Sequence, residues 1–291
     1  MTAIPVSLGT DFPKAPKFWQ RFIRDPQVVI GTLVVLLLIF SAIFAPLLTS
    51  YDPTRLSPRD KFQAPNAEHI FGTDQLGRDI LARVLYGARV SLLVGLLAVA
   101  LSAIIGTSLG AVSGYFGGWS DAIIMRITDT FLAIPGLVLT IGMVAVLGPG
   151  LDKLVLAIAI TSWPTYTRLV RSSYMSIKQL QYVEAARSVG VRTPRIMFRH
   201  ILPNAIGPIL VVMMIGTAGA IITEAGLSFL GIGLEPKTPT WGRMLSEAQE
   251  HIRSYAYMSI FPGIAIMILT LGFNLLGEGL RDLLDPKQRK S

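Results

Sequence analysis

The 291-residue sequence contains no cysteine, which removes disulfide staples, thiolate zinc sites and thiol nucleophiles from consideration. Charge is scarce as well. Only 15% of residues are Asp, Glu, Lys or Arg against 52% hydrophobic, a balance that suits a polytopic membrane protein better than a water-soluble chain. His69, His200 and His251 stand far apart and no His-Glu-x-x-His occurs, so a metal-dependent hydrolase has no ligand set. A Gly-x4-Gly-Lys-Ser/Thr phosphate loop is also missing, and no serine sits in a recognisable nucleophile setting. The chain cannot bind ATP through such a loop by itself.

What the sequence does have is long apolar runs. Residues 28–48 form the first, uncharged and of about the 20 residues a helix needs to cross roughly 30 Å of hydrocarbon. Five more follow at about 90–113, 122–147, 151–170, 205–230 and 257–276. The expected fold is therefore an all-α polytopic membrane protein with six transmembrane helices. It divides into a tail (1–27), a first span (28–48), a loop (49–88), a five-helix core (89–280) with a polar loop at 174–204, and a closing tail (281–291). The first tail is expected either to end in an amphipathic piece at 18–23 on the membrane surface or to be plain disordered chain.

Several residues within the runs carry expectations of their own. Gly106, Gly110 and Gly114 recur at every fourth residue, which predicts close helix packing. Arg126 and Asp129, at i, i+3, predict a paired structural charge cluster, and Pro135-Gly136 predicts a kink. Glu224 falls near one end of the fifth span, which favours a snorkelling or interface-bonded carboxylate over a mid-membrane proton relay.

Lysine and arginine are unevenly spread. The two tails and the stretch from Arg168 to His200 hold 15 of the 26, whereas the other loops are about neutral. Six spans put both termini on one side, and the positive-inside rule makes that side cytoplasmic. The net charge of +8 thus reads as membrane orientation rather than nucleic-acid binding. Within the basic loop, 175–189 lacks proline and glycine and is expected to be one helix, closed by Gly190 as a left-handed cap. Thr193 reads as an N-cap and Pro194 as the first-turn proline of a second short helix running to His200. The two would meet at Gly190 in an L, with Ala185 and Ala186 offering a smooth face to another protein.

Glu184, Ala185, Ala186 and Gly190, followed by Leu202 and Pro203, match the Glu-Ala-Ala, three residues, Gly, nine residues, Ile-x-Leu-Pro pattern of one family. The sequence resembles the permease subunits of binding-protein-dependent ABC importers. His200 stands where the general pattern has Ile, and His200-x-Leu202-Pro203-Asn204 is similar to the peptide and nickel branch. So are Gly72-Thr73-Asp74 with Gly77-Arg78-Asp79, Met125-Arg126 with Asp129, Leu227-Ser228-Phe229-Leu230-Gly231, and Asn274-Leu275-Leu276-Gly277 with Leu280-Arg281-Asp282 and Asp285-Pro286. These motifs, in order over nearly the whole chain, look like the C-type permease of a dipeptide or oligopeptide importer.

That resemblance implies a type I ABC importer fold in the bacterial plasma membrane, with an L-shaped coupling-helix loop in the cytoplasm. It implies a complex with a homologous second permease subunit, two cytoplasmic ATP-binding subunits and an extracytoplasmic substrate-binding protein, amid membrane lipid and without nucleic acid. No cofactor or catalysis is implied for this chain, since ATP and Mg belong to the partner ATPases. The implied ATPase-coupling residues are Glu184, Ala185, Ala186, Arg187, Gly190, Arg192, Leu202 and Pro203. In that family the short loop helix fits a cleft on the ATPase, so closure of the ATPase dimer rocks the spans. Di- or oligopeptides are the expected substrates, with nickel chelates, glutathione or small glycans as alternatives. An ion-coupled secondary transporter is the rival of a different class, disfavoured by charges gathered at span ends and by the long docking segment.

Overall fold

A computed structural model describes residues 22–284. Most of the expected amphipathic piece at 18–23 and the final basic residues lie outside that range. Among the described residues the structure is helical, with only an isolated antiparallel bridge between Thr73 and Asp79.

The first long helix of the described residues, α1 (Pro26–Ile43), is capped by Asp25, whose carboxylate accepts from the amides of Gln27 at 2.9 Å and Val28 at 3.3 Å. Pro26 suits the first turn because the N–H it lacks has no partner in any helix. A single turn, Ala45–Leu48, completes the apolar run. The next helix, α2 (Ile80–Phe116), has 37 residues, about 55 Å of rod at 1.5 Å per residue. It starts ten residues before the expected 90–113. Nothing separates the amphipathic turn at 80–86 from the apolar run, Asp79 caps it by accepting from Ala82 N at 2.7 Å, and the helix continues to Gly117 at φ +68°.

The third run is two helices rather than one. α3 (Gly118–Leu132) and α4 (Gly136–Leu147) are bent by 92°, because Pro135 has no N–H to continue the ladder. The remaining helices are α5 (Leu151–Ile177), α6 (Gln181–Ser188) in the polar loop, α7 (Leu202–Phe229), α8 (Trp241–Ala248) and α9 (Tyr257–Leu284).

Four of these segments are long and apolar enough to cross a membrane: α1, α2, the unbroken stretch Thr193–Phe229 that contains α7, and α9. The bent pair α3 and α4 supplies a fifth span if counted together. The fourth run, α5, has the length but carries Asp152, Lys153, Arg168 and Arg171. It nevertheless buries Leu154, Val155, Ile158, Tyr166, Val170 and Tyr174 among its neighbours, so packing meets the demand that lipid would otherwise place on composition.

The core forms where α2 and α5 run side by side. A Cβ on Gly106 would lie 2.7 Å from Trp163 O, one on Gly110 2.6 Å from Thr167 O, and one on Gly114 2.6 Å from Arg171 O. The glycine stripe is therefore the contact line between the two backbones. In lipid, where apolar area gives no net drive between helices, such closeness gains its energy from dispersion. α7 and α9 pack beside this pair, and α1 lies against α9. One end of the bundle carries the polar loop with α6, which we call the loop end. The other, the cap end, is covered by residues 49–79 and α8.

Gly110→Ala is expected to lower the melting temperature of the detergent-purified chain. Overpacking against a backbone costs about 1–3 kcal/mol, more than the roughly 1 kcal/mol that alanine gains over glycine in a helix. Gly142→Ala, where the added Cβ meets nothing within 4 Å, is the control and should leave the melting temperature unchanged or slightly raised.

Candidate functional site

The polar loop folds as a helical hairpin laid against the loop end. α5 stops at Ile177, and Lys178, Gln179 and Leu180 turn the chain before α6 begins. The expected single helix over 175–189 is thus broken without proline or glycine. Two tertiary contacts account for the break. The Lys178 ammonium donates to Gly114 O at 2.8 Å and Tyr115 O at 3.4 Å, the last carbonyls of α2. Val183, fully buried, packs into a cluster with Tyr174, Ile196, Met197, Ile201 and Ala205.

Beyond α6 the backbone makes a Schellman turn. Gly190 sits at φ +78°; its N–H donates to Arg187 O at 3.0 Å and that of Val191 to Ala186 O at 3.1 Å, which is the paired arrangement that satisfies a helix's last carbonyls. Gly190 is therefore the left-handed cap expected from the sequence. Thr193 is not the N-cap: Arg192 holds that position without a side-chain bond, and Thr193 and Pro194 form the first turn. Nor is the second arm a separate short helix. It passes through a π-turn, Ile196–Ile201, straight into α7. Pro203 offers no N–H to the preceding turn, so the widened turn forgoes little. The carbonyl of His200 accepts from Asn204 Nδ2 at 2.7 Å and Tyr182 OH at 3.3 Å. These bonds tie Tyr182 of α6 and Asn204 of α7 to the π-turn between them.

The hairpin's outer surface is left open. Glu184, Ala185, Arg187 and Arg192 are exposed, Ala186 and Leu202 are half-buried and Pro203 is exposed. Val189 is 79% exposed and Phe198 66%. The corner encloses a concave space of about 720 Å³ lined by Val189, Gly190, Val191, Arg192, Pro194 and Arg195. Arg187 leans over the Tyr115 ring, 5.9 Å from its centroid, which ties α6 to the end of α2. The structure thus brings the predicted residues onto one hairpin, with Leu202 and Pro203 at its return rather than at its tip.

Charged residues elsewhere depart from the sequence reading. Asp129 pairs with Arg168 of α5 at 2.6 Å rather than with Arg126, and among the described residues Arg126 has no ion pair. Spacing alone would let the two meet, but Asp129 has a cation across the helix interface instead. Asp121 accepts from Arg171 at 2.5 and 2.6 Å in a fork that ties α3 to α5. Glu224 does not snorkel. It is fully buried and accepts from Ser91 Oγ at 2.9 Å and Ser228 Oγ at 2.7 Å, so hydroxyls inside the bundle replace water.

At the cap end, Gly72-Thr73-Asp74 and Gly77-Arg78-Asp79 form one knot. Asp74 Oδ2 accepts from Arg78 Nε and Arg83 Nη1, both at 2.6 Å, and Glu247 Oε2 accepts from Arg78 Nη2 at 2.6 Å and Arg83 Nη1 at 2.8 Å. Asp79 also receives His69 Nδ1 at 2.9 Å. The residues 49–79 are thereby bolted to α2 and α8. Arg83 and Glu247, the far half of this cluster, carried no local signal in the sequence; Ser228 at i+4 from Glu224 did, whereas Ser91 did not.

The fold agrees with comparisons to known proteins. Residues 106–290 match the model of the family described as "binding-protein-dependent transport system inner membrane component". The chain belongs to that family. Residues 17–65 of this permease also match the model for the N-terminal TM domain of oligopeptide transport permease C. Among its relatives are the dipeptide transport system permease DppC of Alkalihalophilus pseudofirmus, 46% identical over 93% of this chain and 89% of that one. The glutathione transport system permease GsiD of Pectobacterium atrosepticum is also 46% identical, over 93% and 90%. Solved structures of similar fold include an inward-facing MetNI methionine ABC transporter, with a TM-score of 0.57 at 16% identity over 69% of this chain and 96% of that one. An amino acid ABC transporter has a TM-score of 0.54 at 21% identity over 69% and 94%.

Asp74→Ala in this permease should cost about 3–5 kcal/mol, because it leaves two buried guanidinium groups sharing Glu247. The expected readout is a lower melting temperature together with new proteolytic cuts confined to residues 49–79.

Proposed function

We propose that the chain is one of two homologous permease subunits of an ATP-driven importer of short peptides. In this reading six spans cross the bacterial plasma membrane with both termini and the hairpin in the cytoplasm. Two ATPase subunits, holding the ATP and Mg, engage the hairpin, and an extracytoplasmic binding protein delivers substrate at the cap end. The chain is not itself an enzyme.

The observation that carries this reading is the hairpin corner. Val189 is presented to solvent at the tip while Val183, Tyr174, Ile196 and Ile201 lock the underside into the bundle. A partner that moves the tip therefore moves the inner ends of α5 and α7 with it, since no flexible linker intervenes. Glu184, Arg187 and Arg192 supply ionic contacts to the partner, and Ala185 with Ala186 permits close approach. The broken pair α3 and α4 supports a second permease: Ile123, Ile127, Leu137, Val138 and Val146 are exposed, and a homologous apolar surface could cover them. As for substrate, dipeptide and glutathione relatives have a short peptide in common, which favours that class over nickel chelates or small glycans.

Uptake of a radiolabelled dipeptide into proteoliposomes holding the full complex should require binding protein and ATP; uptake on an ion gradient alone would overturn the proposal in favour of a secondary transporter. The corner has its own test. A Cβ at Gly190 meets nothing within 4 Å, so substitution there acts through backbone conformation rather than space. Gly190→Val should abolish most ATP-driven uptake while the complex still assembles, because a β-branched residue resists positive φ. Gly190→Asn, which tolerates that conformation, should keep most of it. Equal loss in both variants would mean that the left-handed turn is not what matters.

A further inference from the structure

Pro46 has no N–H to offer Ala42 O across the last turn of α1, and Leu47 N turns back to Phe44 O at 2.9 Å, so the carbonyls of Ala42 and Ile43 are left without their helical donors. Arg89 of α2 supplies both. Its Nε donates to Ala42 O, and its Nη2 donates to Ile43 O at 2.9 Å. The guanidinium carbon also lies 4.9 Å from the Tyr86 ring centroid. These contacts use two of five N–H donors and leave the positive charge unneutralised, since among the described residues no carboxylate pairs with Arg89.

Beside this guanidinium runs a groove of about 430 Å³ between α1 and α2, lined by Ile39, Ile43, Leu92, Leu93, Leu96 and Arg89. Its volume falls in the roughly 300–1,000 Å³ range of small-molecule sites. Leu93 is 49% exposed and Leu96 41%, so the groove opens sideways out of the bundle. Its depth is informative. Ile43 ends an 18-residue helix, about 27 Å of rise, close to one thickness of the hydrocarbon layer. The cation thus stands where an apolar slot meets the headgroup layer.

We infer that this groove binds an anionic phospholipid, with the phosphate on Arg89 and one acyl chain along Leu92, Leu93 and Leu96. A guanidinium with spare donors pairs with phosphate in a fork, and an apolar chain fills the slot that an inorganic anion would leave empty. An apolar helix from another protein would fill it too, but would cover the charge without pairing it. The lipid would brace the joint at Pro46, where one side chain of α2 holds both open carbonyls of α1.

The test reconstitutes the complete transporter complex into phosphatidylcholine nanodiscs doped with phosphatidylglycerol and counts retained lipids by native mass spectrometry after delipidation. Wild type should hold phosphatidylglycerol preferentially. Arg89→Gln, which keeps an amide donor for the carbonyls but removes the charge, should lower its retention about tenfold, the worth of one charge-assisted bond. Leu93→Trp, which fills the slot and leaves Arg89 untouched, should lower it comparably and decides the matter if Arg89→Gln does not fold. Equal retention in wild type and Leu93→Trp would overturn the inference. So would a Leu93→Cys cross-link to another subunit, which would make the groove a protein contact.

Discussion

A helix that ends or breaks within reach of the bilayer must find new donors for the carbonyls it frees, because hydrocarbon supplies none. The architecture of this permease follows from how it meets that demand. Where α1 stops at Pro46, Arg89 takes the open carbonyls of Ala42 and Ile43; where α2 stops before Gly117, Lys178 takes those of Gly114 and Tyr115. Where the chain widens before Pro203, Asn204 and Tyr182 donate to the carbonyl of His200. The first two donors are cations at helix C-termini, so each also meets the negative end of a helix dipole. Each repair is at the same time a tertiary tie, which is why the breaks stiffen the bundle instead of loosening it.

The ties converge on α2. At the cap end it receives the knot of Asp74, Arg78 and Glu247 through Arg83, along its last third the glycine stripe seats α5, and at its far end Lys178 and Arg187 draw the hairpin against it. A contact made through glycines has no side chains to rearrange, so α2 and α5 move together or not at all. The pair α3 and α4 is built differently. It buries only Thr128, Thr140 and Val144 and is tied to α5 by the fork of Asp121, by one exposed bond from Arg168 to Asp129, by the Thr140–Thr161 hydroxyl contact and by apolar packing around Val144. Within one chain this is the element with the most freedom to be repositioned by a neighbour.

What could be read from the sequence was whatever depends on local spacing. The glycine stripe, the kink at Pro135, the left-handed Gly190 and the apolar runs are set by residues within one or two turns of each other, and periodicity exposes them. The helix break at Lys178 was not legible, because the residues there favour helix and the break is imposed by α2 carbonyls 64 positions away. The same holds for Asp129, whose partner Arg168 lies 39 positions on. Thr193 misled because a good capping side chain preceded a proline, yet the actual cap position one residue earlier is occupied by Arg192 with no side-chain bond. Glu224 was placed correctly along its span but not in its surroundings, since the burial of a carboxylate depends on the helix that faces it.

The hairpin shows why such non-local ties bear on transport. Its motif residues divide by what they touch. Gly190 shapes the corner, and His200, Pro203 and Asn204 shape the return into α7. Val183, between them in neither sense, faces inward and is the anchor. Were the corner joined to the spans by an unpacked linker, force from an ATPase would be lost in bending that linker. Here the chain from Thr193 to Phe229 is a continuous helical path and Tyr174 OH holds Met197 O at 3.1 Å, so displacement of the tip must either carry the inner ends of α5 and α7 or break buried packing. In the coupling we propose, that choice is the mechanism: the hairpin transmits because yielding locally costs more than moving the spans.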